Sequence, residues 1–119
     1  VSRGEPMRLR LPPITAYPHE IEYVFKTGED DWGKPVWSDP VLIEHARVDE
    51  GYNFSRSGTN STNDMPNALI SMFDKYNDYL PEFENEQKIF FNGLEFTIVK
   101  VIPLYFMSDE IVGYELEVK

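Results

Sequence analysis

The chain has 119 residues, of which 41% are hydrophobic and 14% aromatic. This composition predicts a single domain over residues 1–119 with one hydrophobic core, and it excludes disorder over most of the length. The net charge of −10 argues against general binding to nucleic acid or anionic membrane. The absence of cysteine excludes disulfides and thiolate metal sites.

The first 18 residues are predicted to form an extended arm, because prolines at positions 12, 13 and 18 prevent pairing as a central strand. Three arginines against Glu5 give the first ten residues a charge of +2, which leaves −12 on the remainder. This segment is either a solvated, frayed terminus or a basic arm that docks on an acidic partner through Arg8 and Arg10. One interpretation of residues 1–6 is a cloning remnant, with Met7 as the native start.

Two strands are predicted in the N-terminal half. In residues 19–26 apolar side chains alternate with glutamates, which is the period of two expected of a half-buried strand. Residues 41–48 predict the second strand. Between them, residues 28–33 predict an acidic turn, and the prolines that follow exclude a long regular element.

Residues 49–66 are predicted to form a long, flexible loop, because they are polar and rich in Gly, Ser and Asn. Long loops in compact domains are often functional, and Tyr52, Phe54 and Arg56 are its candidate contact residues. Residues 67–76 fit both the period of a short helix and that of a strand, so periodicity alone leaves both open.

Residues 88–101 predict a hairpin around an Asn-Gly pair, because these residues tolerate the positive φ angles of a type I′ turn. In that register Ile89 faces Phe96, and Phe91 faces Leu94. These four side chains are expected on one side of the hairpin.

The last segment completes a predominantly β pattern. Pro103 is predicted to end its strand, and residues 112–118 alternate as a further strand with an acidic outer face. Short strands separated by turns indicate a mainly β fold, a small antiparallel barrel or sandwich with at most one short helix.

No pattern predicts catalysis. There is no cysteine nucleophile and no G-x-S-x-G turn, and His19 and His45 each lie in a predicted strand, where a structural role is expected. The paired carboxylates fall in turns or on outer faces, and the Asx-rich stretches lack the spacing of a calcium loop. The sequence therefore predicts no enzyme, no metal site and no cofactor.

Several stretches together resemble a known family. They are MRLRLPP at 7–13, GEDDWGKPVW at 28–37, PVLIEHARV at 40–48, FNGLEFTIVKV at 91–101 and YELEV at 114–118. In order and spacing they resemble the minor capsid proteins of tailed phages and prophages of Gram-positive bacteria. That family is similar in turn to the head–tail joining, or stopper, proteins.

The resemblance implies a virion structural protein of the head–tail junction, a connector for head completion that is stopper- or adaptor-like. Such a protein would form a ring on the portal side, help to retain DNA and attach the tail. Its partners would be portal or adaptor proteins, tail-side connector proteins and further copies of itself. DNA would pass through without sequence recognition, and no membrane would be involved. Its location would be the virion, and the host cytoplasm during assembly.

The resemblance also implies a small β-barrel, which favours strand for residues 67–76. Asp31, Trp32, Gly33 and Arg47 carry much of the motif and are predicted interface residues. The alternative is local: Gly33 supplies a turn conformation, Trp32 packs and Arg47 pairs with an acid.

Two other classes of function compete with the connector. A stand-alone β-barrel binding module would grip a peptide or oligosaccharide through aromatic residues such as Trp32, Trp37 and Tyr52. It predicts a concave aromatic groove and a monomer, whereas a connector predicts association into a ring. A hydrolase would need two inward-facing carboxylates, which the sequence gives no reason to expect.

Overall fold

The computed structural model describes residues 11–51, 66–107 and 109–119, and most of them lie in strands. The strands are β1 His19–Val24, β2 Lys26–Glu29, β3 Pro35–Trp37, β4 Val41–Asp49, β5 Ala68–Phe73, β6 Lys88–Phe91, β7 Leu94–Tyr105 and β8 Ile111–Val118. Two single turns of 3-10 helix, Ile14–Ala16 and Asp74–Tyr76, accompany them. The prediction of a mainly β fold is confirmed.

Six strands close into an antiparallel barrel in the order β1-β4-β5-β8-β7-β6, with β6 returning to pair with β1. Of the two predicted architectures, the structure is thus the barrel. The core cluster consists of Ile21, Tyr23, Ile43, Ala46, Val48, Ala68, Ile70, Met72, Phe83, Ile89, Phe96, Ile98, Tyr114, Leu116 and Val118. In a barrel this small, such side chains fill the interior.

The predicted hairpin has the predicted register. Ile89 pairs with Phe96 and Phe91 with Leu94, and both residues of the Asn-Gly turn have positive φ angles, 51° and 78°. This register places all four side chains on one side of the hairpin, as expected, although Ile89 and Phe96 are buried while Leu94 is 50% exposed. The turn therefore extends beyond the core that the middle of the hairpin covers.

The ambiguous residues 67–76 form β5 followed by a 3-10 turn. Adjacent residues of β5, including Leu69 and Ile70, are buried, so this strand is covered on both faces. A strand buried on both faces gives a continuous apolar run instead of an alternating one. That is why periodicity did not distinguish strand from helix here.

The prediction that Pro103 ends its strand is wrong. β7 continues to Tyr105, and Pro103 pairs with Tyr114 of β8. Pairing of β7 with β6 covers only residues 94–97, so Pro103 lies where β7 has a ladder partner on one side. Proline is tolerated there because its missing N–H need not face a neighbouring strand.

The hairpin formed by β2 and β3 was not predicted. The sequence indicated only an acidic turn at 28–33, with prolines that exclude a long element. β2 pairs antiparallel with β3, with Lys26 opposite Trp37 and Glu29 opposite Pro35. Both strands are short, and Pro35 opens its strand, a position that proline accepts.

The described part of the N-terminal arm is not fully extended, since Ile14–Ala16 form a 3-10 turn. Tyr17 is buried against the outside of β5, where its ring meets Phe73 edge-on at 5.7 Å between centroids. The Tyr76 hydroxyl donates a hydrogen bond of 2.6 Å to the Pro12 carbonyl oxygen. The arm therefore covers the outer face of β5.

The antiparallel registers fix which connections share an end of the barrel. β1 leads into the β2–β3 hairpin at one end, and the turn after Tyr105 joins β7 to β8 at that same end. We call it the hairpin end. The opposite end, called the loop end, carries the Asn92-Gly93 turn, the C-terminal Lys119 and both ends of the connection from β4 to β5.

Asn77 ties the irregular segment after β5 to β4. Its Oδ1 accepts a hydrogen bond of 3.0 Å from the His45 N–H. Its Nδ2 donates to the carbonyl oxygens of His45 at 3.0 Å and Phe73 at 2.9 Å. One amide side chain thus satisfies three backbone groups beside the irregular part of the β1–β4 register.

We expect Asn77→Asp to lower the free energy of unfolding by about 2 kcal/mol, because a carboxylate accepts but does not donate, which leaves two carbonyl oxygens unsatisfied. Denaturant unfolding measures this change. The matched control is Asp78→Asn at the exposed neighbouring position, which should stay within about 0.5 kcal/mol of the parent. Equal stability of Asn77→Asp and the parent would show that the donated hydrogen bonds do not stabilise the fold.

Burial raises the pKa values of Tyr17, Tyr23 and Tyr114 above the usual 10.0. The folded protein therefore holds these phenol protons more tightly than the unfolded chain does. Stability is complete below about pH 10 and falls as the pH rises from there through the raised folded values. In denaturant unfolding across this range, Tyr114→Phe should make the fall shallower, whereas Tyr79→Phe, at a 64% exposed position, should not. Identical slopes would contradict this account.

Candidate interaction surfaces

Three of the predicted interface residues, Asp31, Trp32 and Gly33, lie together at the tip of the β2–β3 hairpin. Asp30 organises this tip: its Oδ1 accepts hydrogen bonds from the N–H groups of Trp32 at 2.8 Å and Lys34 at 2.9 Å. Gly33 has a φ angle of +80°, which only glycine adopts without strain. Gly33 therefore supplies the turn, as its local interpretation states.

Trp32 does not pack against the described part of the chain, whereas its local interpretation predicted packing. Its side chain is 86% exposed, and Val36 on the same hairpin is 44% exposed. Tryptophan is enriched among the residues that dominate protein–protein binding energy, because it buries a large rigid surface. The hairpin tip is therefore a candidate contact surface.

The base of the hairpin is held to the barrel. The Ser38 N–H donates to the Phe25 carbonyl at 2.8 Å, and the Phe25 N–H donates to Ser38 Oγ at 3.1 Å. The Lys88 ammonium lies 4.8 Å from the centroid of the Trp37 ring, within the range of a cation–π contact. These contacts hold the base of the hairpin in place, while Trp32 at its tip stays exposed.

A second apolar tip lies at the same end of the barrel, where β7 turns into β8. Tyr105 is 55% exposed, Met107 is 63% exposed and Ile111 is 36% exposed. We call these three residues, with Trp32 and Val36, the hairpin-end surface. Sequence reasoning did not identify the second tip. The sequence did contain a signal for this second tip. Residues 104–107 are all apolar and lead directly into a polar turn, whereas the approach to a fully solvated turn is expected to be polar.

Arg47 is not brought to the hairpin tip. It lies six residues along β4 from Val41, about 20 Å at the rise of a strand, and toward the loop end. There it lines the surface around Tyr17 on the outside of the barrel. Burial raises the pKa of Tyr17, as does Tyr76, and the positive charge of Arg47 opposes both.

The other predicted contact residues lie outside the residues that the structure describes. They are Arg8 and Arg10 in the N-terminal segment and Tyr52, Phe54 and Arg56 in the predicted 49–66 loop. Their roles stay predictions.

An acidic groove of about 600 Å³ runs along the outer face of β1 between β4 and β6. Glu22 lies at its centre, directly opposite Leu42 of β4 on one side and Phe90 of β6 on the other. Glu20 stands two residues earlier on the same exposed face. Carboxylates with apolar flanks suit a cationic side chain that has an aliphatic stem. The alternating glutamates of this strand were the signal in the sequence.

No metal site or membrane span emerges from residues 11–51, 66–107 and 109–119. No three His, Asp or Glu side chains among them converge as metal ligands, and no helix is long and apolar enough to cross a membrane. The His19 Nδ1 accepts a hydrogen bond of 3.0 Å from the Val48 N–H, and its ring meets Phe91 at 5.0 Å. His19 thus has a structural role.

Comparison with known proteins gives one match. A family model described as minor capsid protein matches residues 13–118, a range that contains all the barrel strands and the β2–β3 hairpin. No curated protein and no solved structure gives a significant match.

Proposed function

Because the chain belongs to the minor capsid protein family of phages, we propose that this virion structural protein sits at the head–tail junction. There it assembles as a ring on the portal side, in the manner of a stopper or adaptor, and helps to retain DNA and attach the tail. The family gives the structural role and the location in the virion. Assembly takes place in the host cytoplasm.

The observation that most supports a junction position is the hairpin-end surface. Two apolar tips, around Trp32 and around Met107, lie at one end of a closed barrel. A protein placed between two others needs contact surfaces that differ between its ends. Because closure pairs most of the barrel strands on both sides, such contacts use tips and outer faces instead of added strands.

The charge of the chain suits a ring around DNA. Each subunit carries a net charge of −10. Affinity for the duplex grows with the number of phosphates that a protein neutralises, and acidic subunits neutralise few. A ring of them lets the duplex slide during packaging without binding its sequence. Retention of the DNA then depends on the closed junction and not on affinity for phosphates.

The partners in this proposal are a portal or adaptor protein on one side and a tail-side connector on the other. The hairpin-end surface contacts one of these two, with Trp32 as its anchor. The family is structural, and we propose no catalytic activity for the chain.

The stand-alone binding module finds less support. It requires aromatic side chains that share one concave groove. Trp32 lies at the exposed tip of the β2–β3 hairpin and Trp37 at its base under Lys88, so these two do not line a common groove.

Deletion of the gene from the phage or prophage tests the proposal, with particles inspected by electron microscopy. We expect heads that have lost their DNA beside free, intact tails. Complementation with the parent gene should restore tailed, filled particles. Normal infectious particles from the deletion would remove the junction role.

Trp32→Ala should separate assembly from folding. We expect the free energy of unfolding to change by less than about 0.5 kcal/mol, because the side chain is exposed. Incorporation into particles, measured by complementation of the deletion, should fall strongly, since an exposed tryptophan at an interface contributes about 2 kcal/mol or more to binding. Trp32→Phe, which keeps an aromatic anchor, should retain most of the incorporation. Full incorporation of Trp32→Ala would contradict a contact at this tip.

A further inference from the structure

The acidic groove holds two carboxylates for which the described part of the chain provides no cation. The side-chain carboxylates of Glu20 and Glu22 form no hydrogen bond or ion pair with a described residue. The cation of the neighbouring strand, Lys88, is held by Glu95 at 2.8 Å. The two glutamates alternate on one face of β1, which places them about 7 Å apart.

The chain contains a segment with a matching pattern. Residues 7–10, which lie outside the described ranges, read Met-Arg-Leu-Arg, so Arg8 and Arg10 have the same spacing in sequence as the two glutamates. Arginine covers apolar surface with its stem and places its guanidinium on a carboxylate in paired hydrogen bonds. Leu42, which is 51% exposed, and Phe90 supply that apolar surface on either side of Glu22.

The described path of the arm leads away from its own groove. From His19 on β1 the chain runs back to Tyr17, which packs against Phe73 of β5, and then to Pro12, which meets the Tyr76 hydroxyl. Pro13 has an extended conformation, with φ −65° and ψ 158°, and does not reverse the chain. The described part of the arm thus ends near Pro12 on the β5 side, whereas the groove lies between β4 and β6.

We propose that residues 7–10 of one subunit dock in the acidic groove of a second copy, with Arg8 and Arg10 on Glu20 and Glu22. This inference rests on the proposed ring and assigns the contact between its subunits. The contact uses different surfaces on the two partners. Such a head-to-tail contact generates a ring when the rotation between subunits closes.

Disulfide cross-linking tests the contact, since the chain has no cysteine of its own. Full-length Leu9→Cys and isotope-labelled full-length Leu42→Cys are mixed across a dilution series, oxidised and weighed by mass spectrometry. We expect a covalent dimer of one labelled and one unlabelled chain, in a yield that falls on dilution. Absence of this dimer at every concentration would overturn the proposal, as would an equal yield when Tyr105→Cys replaces Leu42→Cys.

The double variant Leu9→Cys with Leu42→Cys identifies the source of the segment. If a second copy fills the groove, the disulfides of this variant join chains. A disulfide that forms within one chain, in a yield independent of dilution, would show that each subunit covers its own groove and would overturn the proposal.

Charge reversal tests the chemistry of the contact. Glu20→Lys with Glu22→Lys in the Leu42→Cys chain should lower the yield of the dimer about tenfold or more, and Arg8→Glu with Arg10→Glu in the Leu9→Cys chain should restore it. The matched control is Glu115→Lys with Glu117→Lys on β8, which has the same spacing and the same change in charge. Failure of the swapped charges to restore the dimer, or an equal loss in the control, would overturn the pairing.

The two proposals fail separately. If the cross-link is absent while the gene deletion still gives tailless, empty heads, the proposed docking is refuted and the proposed role at the junction is supported. If the deletion gives infectious particles while the specific cross-link forms, the junction role falls and the docking between copies stands.

Discussion

Phe83→Ala should lower the free energy of unfolding by about 3–5 kcal/mol, the usual cost of removing a buried aromatic ring. Phe83 lies in the irregular segment between β5 and β6, yet it is only 6% exposed. Its ring meets Tyr23 at 4.7 Å and Tyr114 at 5.1 Å between centroids, both in edge-on geometry. It thus joins β1 to β8 across the interior, which no backbone pairing does directly.

Denaturant unfolding of the purified chain measures this loss. Phe83→Leu should cost less than Phe83→Ala, because leucine refills part of the space. The control in the same segment is Tyr79→Ala, at a 64% exposed position, which should shift stability by less than about 0.5 kcal/mol. A Phe83→Ala protein as stable as the Tyr79→Ala protein would show that the segment is not part of the core.

Gly113→Val should lower the free energy of unfolding by about 3 kcal/mol or more, at the upper end of overpacking effects. Gly113 of β8 faces Phe73 of β5 across the ladder. A Cβ at this position would press on the Met72 carbonyl oxygen and lie 2.9 Å from Phe73 Cδ1 and 3.1 Å from Phe73 Cα. Two of these atoms belong to the backbone of a paired strand, so relief requires the β5–β8 pairing to open.

The loss at Gly113 is measured by thermal or denaturant unfolding, with soluble yield as a second readout. Gly28→Ala is the matched control, because a Cβ there would meet no atom within 4 Å. We expect Gly28→Ala to fold like the parent. Parental stability in the Gly113→Val protein would contradict the close approach of β5 to β8.

Local patterns predicted the parts of the fold that local physics determines. The alternation in residues 19–26 and the Asn-Gly turn gave strands and a register that the barrel retains. The pairing of β1 with β6, which closes the barrel, could not be predicted in this way. Alternation shows which face of a strand is buried, but it does not show which other strand pairs with that strand. The choice between barrel and sandwich depended on that pair.

Where local patterns failed, distant residues had changed the environment. The outer face of β5 is buried because Tyr17, about 50 residues earlier in the chain, packs there. A strand that is buried on both faces carries apolar residues on both, so its sequence does not alternate between apolar and polar residues. The alternation in residues 112–118 places Gly113 on the outer, solvent-facing side of β8. In the structure Phe73 covers this position. Phe83 has no periodic context at all, and only the closed barrel shows that it is core.

The candidate surfaces were predicted in part. Asp31, Trp32 and Gly33 do lie together, because a single turn organised by Asp30 holds them. Arg47 belongs to the same stretch of sequence but lies on another face, since β4 carries it away from the hairpin. Sequence proximity therefore did not imply one surface. The acidic groove is formed by three neighbouring strands, β1, β4 and β6. The sequence did not predict that these three strands lie side by side, so it did not predict the groove.

Folding and assembly depend on separate residues in this account. Phe83 and Gly113 are buried, and their variants should lose stability before they lose any contact. Trp32, Glu20 and Glu22 are exposed, and their variants should fold normally but assemble poorly. A parallel measurement of stability and of particle incorporation should therefore place the variants in two groups.

Cryo-electron microscopy of the mature virion, averaged over the head–tail junction, tests the central claim most directly. We predict a ring of six-stranded barrels between portal and tail, each with the β2–β3 hairpin tip against the adjacent protein. A junction built entirely from other chains, with this barrel elsewhere in the particle, would contradict the claim.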